Sequence, residues 1–141
     1  MNSTEVNISI TSKQYDGDRL ADTIEVKNIG SLYAKNGSTY IVYYEEEGEI
    51  KILNTIKFNK DELTMKKMGA INTLMRFREG VDTSTNYRTS QGVFLIETST
   101  KILDINNEGN GNIKIYIDYN IEIQDLFTGR NSIQIEINKI N

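Results

Sequence analysis

The chain has 141 residues with 16 Lys and Arg against 20 Asp and Glu, a formal net charge of −4, and no Cys, His, Pro or Trp. This length suits one domain over residues 1–141, which buries about two thirds of the surface that the unfolded chain exposes. The lack of Cys and His excludes disulfides, thiolate nucleophiles, Cys/His zinc sites and every catalytic triad or dyad that uses imidazole.

Alternating apolar residues predict two β-strands at the start of the chain. The first strand contains Val6, Ile8 and Ile10, and the turn-forming residues 14–18 (QYDGD) end it. A second strand starts after Asp22. Its apolar positions are Ile24, Val26 and Leu32.

The dipeptide Asn36-Gly37 predicts the turn of a hairpin, because both residues accept the positive φ that a two-residue type I′ turn requires. Pairing Lys35 with Ser38 then fixes the register along both strands. The predicted pairs are Tyr33 with Tyr40, Leu32 with Ile41, Gly30 with Tyr43, Ile29 with Tyr44 and Asn28 with Glu45.

This register divides the hairpin into two faces, since successive side chains of a strand point to opposite sides. The inner face is predicted to carry Ile24, Val26, Leu32, Ile41 and Tyr43. The outer face is predicted to carry Ile29, Tyr33, Tyr40 and Tyr44. Grouped aromatic residues are enriched where proteins meet, so we expect the outer face to pack against a second copy of the protein or another part of the chain.

A second hairpin is predicted in the middle of the chain. Residues 50–58 return through the turn 59–62 (NKDE), which places Phe58 opposite Leu63 and Ile56 opposite Met65. Gly69 then precedes another strand. One face of that strand is predicted to consist of Ile71, Thr73, Met75 and Phe77.

The third hairpin has its turn at residues 89–92 (TSQG), and Phe94 is predicted to lie opposite Tyr87. The returning strand continues with Ile96, Thr98 and Thr100. A Gly/Asn loop over residues 106–112 is predicted to follow.

The most regular alternation in the chain runs from Asn112 to Gln124 (NIKIYIDYNIEIQ) and predicts a long, half-buried strand. Its predicted buried face consists of Ile113, Ile115, Ile117, Tyr119, Ile121 and Ile123. The polar positions between them, Asp118 included, are predicted to face water. Gly129, Arg130 and Asn131 are predicted to turn the chain into a final strand, which contains Ile133, Ile135 and Ile137.

About ten strands with turns at intervals of 8 to 12 residues predict an all-β fold. Nearly every connection reads as a hairpin between neighbours, which favours an antiparallel up-and-down β-barrel of about eight to ten strands over a sandwich.

Short segments along the whole chain form a recognisable set. The first half contains DTIEV at 22–26, GSLY at 30–33, KNG at 35–37 and YIVYYE at 40–45. The second half contains MRF at 75–77, EG at 79–80 and YRT at 87–89. In this order and spacing, the segments resemble the YwiB-like family of uncharacterised bacterial proteins. Ser90 departs from the pattern, because the family often has proline there. The resemblance implies a calycin-like barrel, similar to lipocalins and fatty-acid-binding proteins, and implies no particular activity.

Five residues are predicted to contact a ligand inside the barrel. Glu45 is turned inward by the Asn36-Gly37 register, where a carboxylate needs hydrogen bonds or a position near the barrel mouth. Tyr43 shares its face, and Tyr87, Thr98 and Thr100 place hydroxyls on otherwise apolar inner faces. The alternative is that the threonine and tyrosine hydroxyls are satisfied locally and Glu45 is a rim residue.

No metal site or cofactor is predicted. Residues 104–109 (DINNEG) match the first half of a calcium loop, but the twelfth position is Ile115 instead of a glutamate. The carboxylates near Glu45 allow acid–base chemistry in principle, although a solvated acidic turn is the simpler interpretation. Arg76, Arg78 and Arg88 either gather an anion or keep the sheet soluble.

The charges are scattered along the chain, so no nucleic-acid or membrane partner is predicted. No apolar run approaches the ~18 residues of a membrane span, and residues 1–13 do not resemble a signal peptide, so we expect a soluble cytoplasmic protein.

Three functions follow as hypotheses. The first is a non-enzymatic binding module with a small apolar ligand in the barrel. The second is a solid barrel that acts as an interaction protein through its outer aromatic face. The third is an enzyme based on carboxylates.

Overall fold

In the computed structural model of the chain, the described residues are 2–70 and 72–140, without the side chain of Thr89. They form ten β-strands: β1 Thr4–Asp16, β2 Arg19–Lys35, β3 Ser38–Glu47, β4 Ile50–Phe58, β5 Leu63–Gly69, β6 Thr73–Phe77, β7 Asp82–Thr89, β8 Gly92–Gly109, β9 Asn112–Ile123 and β10 Phe127–Lys139. Within this part of the chain, no helix has the length and apolar character needed to cross a membrane.

The ten strands form one antiparallel sheet in the order β6-β5-β4-β3-β2-β1-β10-β9-β8-β7. All neighbours in the sheet are also neighbours in sequence except β1 and β10, whose pairing curls the sheet round. The two edges β6 and β7 then meet, with a bridge between Asn72 and Arg88. The chain is therefore a nearly closed up-and-down barrel, which confirms the predicted all-β barrel.

Strand β9 lies in the sheet between β8 and β10 and has its predicted inner face in the core. Ile113, Ile115, Ile117, Tyr119 and Ile121 are all buried, and Ile123 is half-buried. The prediction fails at Asp118, which is buried although it lies on the outer face. Arg130 of β10 covers it, donating from Nε and Nη2 to the two carboxylate oxygens at 3.0 and 2.8 Å.

Two hairpin turns have the same sequence and the same backbone. Asn36-Gly37 adopts positive φ at both residues (52° and 80°), as predicted. Asn110-Gly111 does so too (55° and 81°), and β8 extends to Gly109. The predicted loop over residues 106–112 is therefore wrong, since the Asn-Gly pair turns the chain within two residues.

The predicted turn at Gly129 to Asn131 is also wrong. These residues lie within β10, where Gly129 pairs with Ile121 and Asn131 pairs with Tyr119. The chain turns at residues 124–126 instead, with Asp125 at φ 60°. The Gly/Asn content of this segment resembles a turn, but its pairing with β9 keeps it extended.

Strand β8 contains a bulge that reverses which of its side chains point inward. Thr100 pairs with Tyr119, whereas Ile102 pairs with Asp118, so Lys101 has no partner in the β9 ladder. Beyond the bulge, Leu103 packs against the core and Ile102 is exposed. An inserted residue shifts the alternation by one position.

The two ends of the barrel differ. The terminal end carries both chain termini and the two Asn-Gly turns. The opposite end, which we call the open end, is where β2 and β3 part, because their ladder stops at the pair of Ser31 and Val42. Ile24 shares the inner side of the sheet with Ser12 but is 48% exposed, so its predicted burial is wrong. It lies beyond the point where β3 covers β2.

Candidate functional site

The interior of the barrel is apolar toward the terminal end and of mixed polarity toward the open end. On most strands, the inward residues near the terminal end are Ile, Val, Leu or Phe, and they form one continuous buried cluster. Farther from the terminal end, polar side chains occupy inward positions on several strands: Ser12, Tyr43, Glu45, Asn54, Lys67, Thr98, Thr100, Tyr119 and Asn131. On β8 and β9, the buried Ile96 and Ile121 follow them toward the open end. The Phe77 ring of β6 contacts the Tyr119 ring of β9 at 4.8 Å between centroids, so side chains of strands that are not neighbours meet in the interior.

A cluster of three polar side chains occupies the wall formed by β3, β4 and β5. Asn54 of β4 pairs with Tyr43 on one side and with Lys67 on the other, and Glu45 lies two residues beyond Tyr43. Lys67 Nζ donates to Glu45 Oε1 at 2.6 Å and to Asn54 Oδ1 at 2.8 Å. Asn54 Nδ2 donates to Glu45 Oε1 at 2.7 Å. We call these three residues the Glu45 cluster.

The Glu45 cluster keeps its carboxyl group ionised. Burial raises the pKa of Glu45, but the hydrogen bond and charge of Lys67 and the hydrogen bond of Asn54 outweigh it, and the pKa lies below its ordinary value. Burial, with a further contribution from the Glu45 charge, raises the pKa of Tyr43. Asn54 is buried, while the side chains of Glu45 and Lys67 are 35% and 36% exposed. The two charges are therefore paired and still reachable from the open end.

The hairpin register was predicted correctly only near its turn. Tyr33 pairs with Tyr40 and Leu32 with Ile41, as predicted. Asn28 does not pair with Glu45, and Ile29 does not pair with Tyr44. Counted back from the turn, the ladder between β2 and β3 ends at Ser31. Gly30 still lies against this wall, since an added Cβ would sit 3.0 Å from Tyr43 Cβ.

Glu45 therefore points inward as predicted but has different partners. The second hairpin could have identified them, because its confirmed pairs of Phe58 with Leu63 and Ile56 with Met65 extend to Asn54 with Lys67.

The threonines lie on the wall formed by β7 and β8. Thr98 is buried, and its Oγ1 lies 2.6 Å from Thr83 Oγ1. Thr100 is 2% exposed, and its hydroxyl has no hydrogen-bond partner among the described residues. Tyr87 packs against the core from the same wall and pairs with Phe94 as predicted. None of the three hydrogen-bonds to the Glu45 cluster.

Asn131 was not predicted as an interior residue. It is 9% exposed and donates from Nδ2 to Tyr119 Oη at 3.3 Å, while its Oδ1 has no partner among the described residues. Burial raises the pKa of Tyr119, and the hydrogen bond from Asn131 partly offsets this. Thr100 and Asn131 pair with Tyr119 from its two sides, so their unpaired oxygens lie on one row across β8, β9 and β10.

The predicted outer tyrosines contact one another or neighbouring lysine side chains. The Tyr33 and Tyr40 rings stack at 5.0 Å with 6° between their planes. Lys57 Nζ lies 5.6 Å from the Tyr40 ring centroid, and Lys51 Nζ lies 4.4 Å from that of Tyr44. Tyr44 and Ile29 are more than half exposed.

The predicted calcium-loop segment and the predicted arginine group lie outside the Glu45 cluster. Asp104 and Asn106 are strand residues of β8, and residues 2–70 and 72–140 contain no group of three or more acidic side chains arranged to hold a metal ion. Arg76 and Arg88 lie on β6 and β7, on either side of the gap between the sheet edges. Ile71, predicted to share a face with Phe77, lies outside the described residues.

Comparisons with known proteins agree with this fold. A family model described as "Domain of unknown function (DUF1934)" matches residues 8–135. The "Uncharacterized beta-barrel protein YwiB" of Bacillus subtilis (strain 168) is 31% identical over 107 residues, which cover 75% of this chain and 74% of that protein. The crystal structure of the ywiB protein from Bacillus subtilis superimposes with a TM-score of 0.78 at 25% identity and covers 95% of this chain and 92% of that one.

Proposed function

The chain belongs to the family described as a domain of unknown function (DUF1934), and we propose that its barrel is a non-enzymatic module that binds a small molecule at the open end. The Glu45 cluster carries this proposal. A paired carboxylate and ammonium on an inner wall, about one third exposed, form a polar anchor that a ligand can reach.

The donor and acceptor atoms of the cluster that lack a partner define the ligand's head group. An ammonium has three donors, and Lys67 uses two of them on Glu45 and Asn54. Glu45 Oε1 accepts two hydrogen bonds, whereas Oε2 has no partner among the described residues. One donor and one acceptor thus remain, and the two charges compensate each other. A neutral group with an adjacent donor and acceptor, such as an amide, satisfies both without leaving a charge unpaired.

The ligand's body is proposed to be apolar. Ile24 presents an exposed apolar side chain on the inner side of β2 at the open end, and the buried Tyr43 ring adjoins the cluster. The terminal half of the interior is already filled by the barrel's own buried side chains. This modifies the small, largely apolar ligand expected from the sequence to an amphipathic one that lies in the open half.

The head-group chemistry is tested by titrating hexanamide, hexanoate and hexylammonium into ¹⁵N-labelled protein. We expect hexanamide to shift the amide signals of Glu45, Asn54 and Lys67 most strongly. Lys67→Met should abolish the shifts, while Lys66→Met, which alters the adjacent outward side chain, should retain them. Stronger binding of either charged probe would contradict the proposed head group.

The outer tyrosine face supports a second candidate function, a homodimer or another protein contact through Ile29, Tyr33, Tyr40 and Tyr44. The exposure of Ile29 and Tyr44 favours it, as does the stacking of the Tyr33 and Tyr40 rings on the same hairpin. Sedimentation of the wild type should give a dimer at tens of micromolar, and a Tyr33→Ser, Tyr40→Ser double variant should give a monomer. A monomeric wild type would contradict the proposed homodimer.

We propose no catalytic activity, because the inward carboxylate of Glu45 is held ionised by its partners, and no second carboxylate hydrogen-bonds to the Glu45 cluster among the described residues. A broad hydrolase screen with Glu45→Gln as control tests this. Activity that the variant loses would overturn it.

A further inference from the structure

The outer face of the sheet concentrates positive charge on β4, β5 and β6. Buried residues mark the inward positions of these strands: Ile52, Asn54, Ile56, Phe58, Leu63 and Phe77. By alternation, the outward positions of these fully described strands include cationic residues and no acidic one, the cationic residues being Lys51, Lys57, Lys66 and Arg76. The whole chain nevertheless has a net charge of −4. The strand pairing therefore gathers on one face positive charges that are scattered along the sequence.

Two of these cations flank a threonine in a single row across the three strands. Lys57 of β4 pairs with Thr64 of β5, and Thr64 pairs with Arg76 of β6. Paired residues of adjacent strands point to the same side of the sheet, so the three side chains are neighbours on the outer face. Adjacent strands lie about 4.8 Å apart, which puts the Cα atoms of Lys57 and Arg76 about 10 Å apart with Thr64 midway. We call these three residues the Thr64 row.

The side chains of the Thr64 row have hydrogen-bonding capacity to spare. The ion pairs among the described residues include neither Lys57 nor Arg76. Lys57 Nζ lies 5.6 Å from the centroid of the Tyr40 ring, close to the outer limit of about 6 Å for a cation–π contact, so this contact holds it weakly. The Thr64 hydroxyl has no hydrogen-bond partner in the same part of the chain. An ammonium, a guanidinium and a hydroxyl are therefore all available to one ligand.

The Thr64 row lines a groove of about 400 Å³ on the outer face. This volume lies within the range of about 300–1,000 Å³ that is usual for small-molecule sites. Leu74 adds an apolar side chain to the lining, and Glu62 is the one acidic residue among the described residues that line it. Two cations against one carboxylate favour an anionic ligand, while the carboxylate disfavours a second anionic group nearby. The groove therefore suits a small organic molecule with a single anionic group.

We propose that the Thr64 row binds the phosphate group of a small phosphate monoester. The guanidinium of Arg76 offers two parallel N–H donors to phosphate oxygens, and Lys57 and the Thr64 hydroxyl donate to the others. The two cations match the charge of the monoester, which approaches −2 at neutral pH. The organic part of the ligand lies in the groove against Leu74. This site is on the outer face and is independent of the Glu45 cluster, which faces the barrel interior.

The probe for this proposal is ribose 5-phosphate, titrated into the ¹⁵N-labelled full-length protein in a buffer without phosphate. We expect saturating shifts of the Lys57, Thr64 and Arg76 amides. Inorganic phosphate should shift the same amides but bind more weakly, because it leaves most of the groove empty. Ribose without phosphate should cause no shifts. An oligothymidylate of eight nucleotides, which tests for a polyanion, should bind more weakly than ribose 5-phosphate.

Variants of the protein separate the three donors from overall charge. Arg76→Gln should weaken ribose 5-phosphate about tenfold, the usual effect of hydrogen bonds to a charged group, and Arg76→Lys should lose less because it keeps the charge. Thr64→Val should weaken binding about threefold, and Thr64→Ser should restore it. Lys51→Gln is the matched control. Lys51 lies on the same face of β4, about 20 Å from Lys57, and its Nζ is 3.7 Å from Glu46 Oε1, so binding should change less than about twofold.

Several results would overturn the proposal, provided that the shifts of core amides verify the fold of each variant. One is an absence of saturating shifts at millimolar ribose 5-phosphate. Another is equal weakening by Lys51→Gln and Arg76→Gln, which would indicate charge attraction without a defined site. Equal affinity for inorganic phosphate would mean that the row holds an adventitious ion only. Tighter binding of the oligothymidylate at the same amides would mean that this face serves a polyanion.

Discussion

At the scale of single residues, the charges of Glu45 and Lys67 determine how the open end behaves. Asn54 is buried and bonded to both, so the three side chains depend on one another. Changing one of them leaves the others with unpaired polar groups, which is costly away from water. The cluster is therefore open to tests of stability as well as of binding.

The depressed pKa of Glu45 predicts how stability depends on pH. A carboxyl group with a lower pKa in the folded state stabilises the fold above its unfolded pKa of about 4.3, and this contribution is lost as the pH falls through the folded value. We expect the urea midpoint of the wild type to exceed that of Glu45→Gln at pH 6 and the difference to shrink by pH 3. Because the pair is one third exposed, the difference should be about 1 kcal/mol or less.

Glu46→Gln serves as the control for this measurement. Glu46 is the next residue on β3, and its exposed side chain faces outward near Lys51. Its substitution should leave the pH dependence of the wild type unchanged. Parallel curves for the wild type and Glu45→Gln would contradict the role of Glu45.

Gly30 is predicted to tolerate no side chain. A Cβ at this position would lie 2.4 Å from Val42 O and 2.7 Å from Ile8 Cδ1, and the main-chain oxygen cannot move aside. Gly30→Ala should therefore lower the unfolding free energy by about 1–3 kcal/mol in urea titrations.

Gly129→Ala is the matched comparison. Its Cβ would meet the far edge of the partly exposed Phe127 ring at 2.6 Å, and that ring can turn toward solvent. Its cost should stay within about 0.5 kcal/mol. Equal costs for the two substitutions would argue against the close approach at Gly30.

At the scale of elements, the sequence predicts strands well wherever one face is uniformly apolar, as in β9. It predicts the Asn36-Gly37 hairpin for a different reason, because positive φ is needed at both turn residues. It fails at Gly129 to Asn131, where turn-forming residues stay extended because β9 supplies their ladder. Such errors arise when tertiary pairing overrides local preference.

The bulge in β8 could not be read from the sequence, since both Ile102 and Leu103 are apolar. Its position predicts unequal losses of stability for two neighbouring substitutions. Leu103→Ala removes a side chain packed on the core and should cost about 2–3 kcal/mol. Ile102→Ala alters an exposed side chain and should cost less than about 1 kcal/mol in the same urea titrations. The reverse order would place the bulge elsewhere.

At the scale of the whole molecule, the polar half of the interior is visible in the sequence only after the strands are in register. Ser12 follows Ile10, Lys67 follows Met65, and Asn131 precedes Ile133, each at the spacing of the inward face. Considered alone, each of these three polar residues indicates only the end of a buried segment. The ladders place these interruptions farther from the terminal end than the apolar inward residues of the same strands.

The limits of the sequence prediction follow from the same geometry. Alternation and turn chemistry specify which residues face inward and which strands are neighbours, so they predict the barrel and the inward direction of Glu45. They carry no information on where β2 leaves β3, which depends on the curvature of the closed sheet. The partners of Glu45 and the open end follow from that divergence, and the gap between β6 and β7 depends on how the two sheet edges meet.

The most direct test of the account is native mass spectrometry of the protein purified from its own cells. We expect the wild type to retain a small molecule of one defined mass, Lys66→Met to retain the same mass, and Lys67→Met to lose it. A wild-type chain without any bound mass, or a bound mass that survives Lys67→Met, would contradict a binding site at the Glu45 cluster.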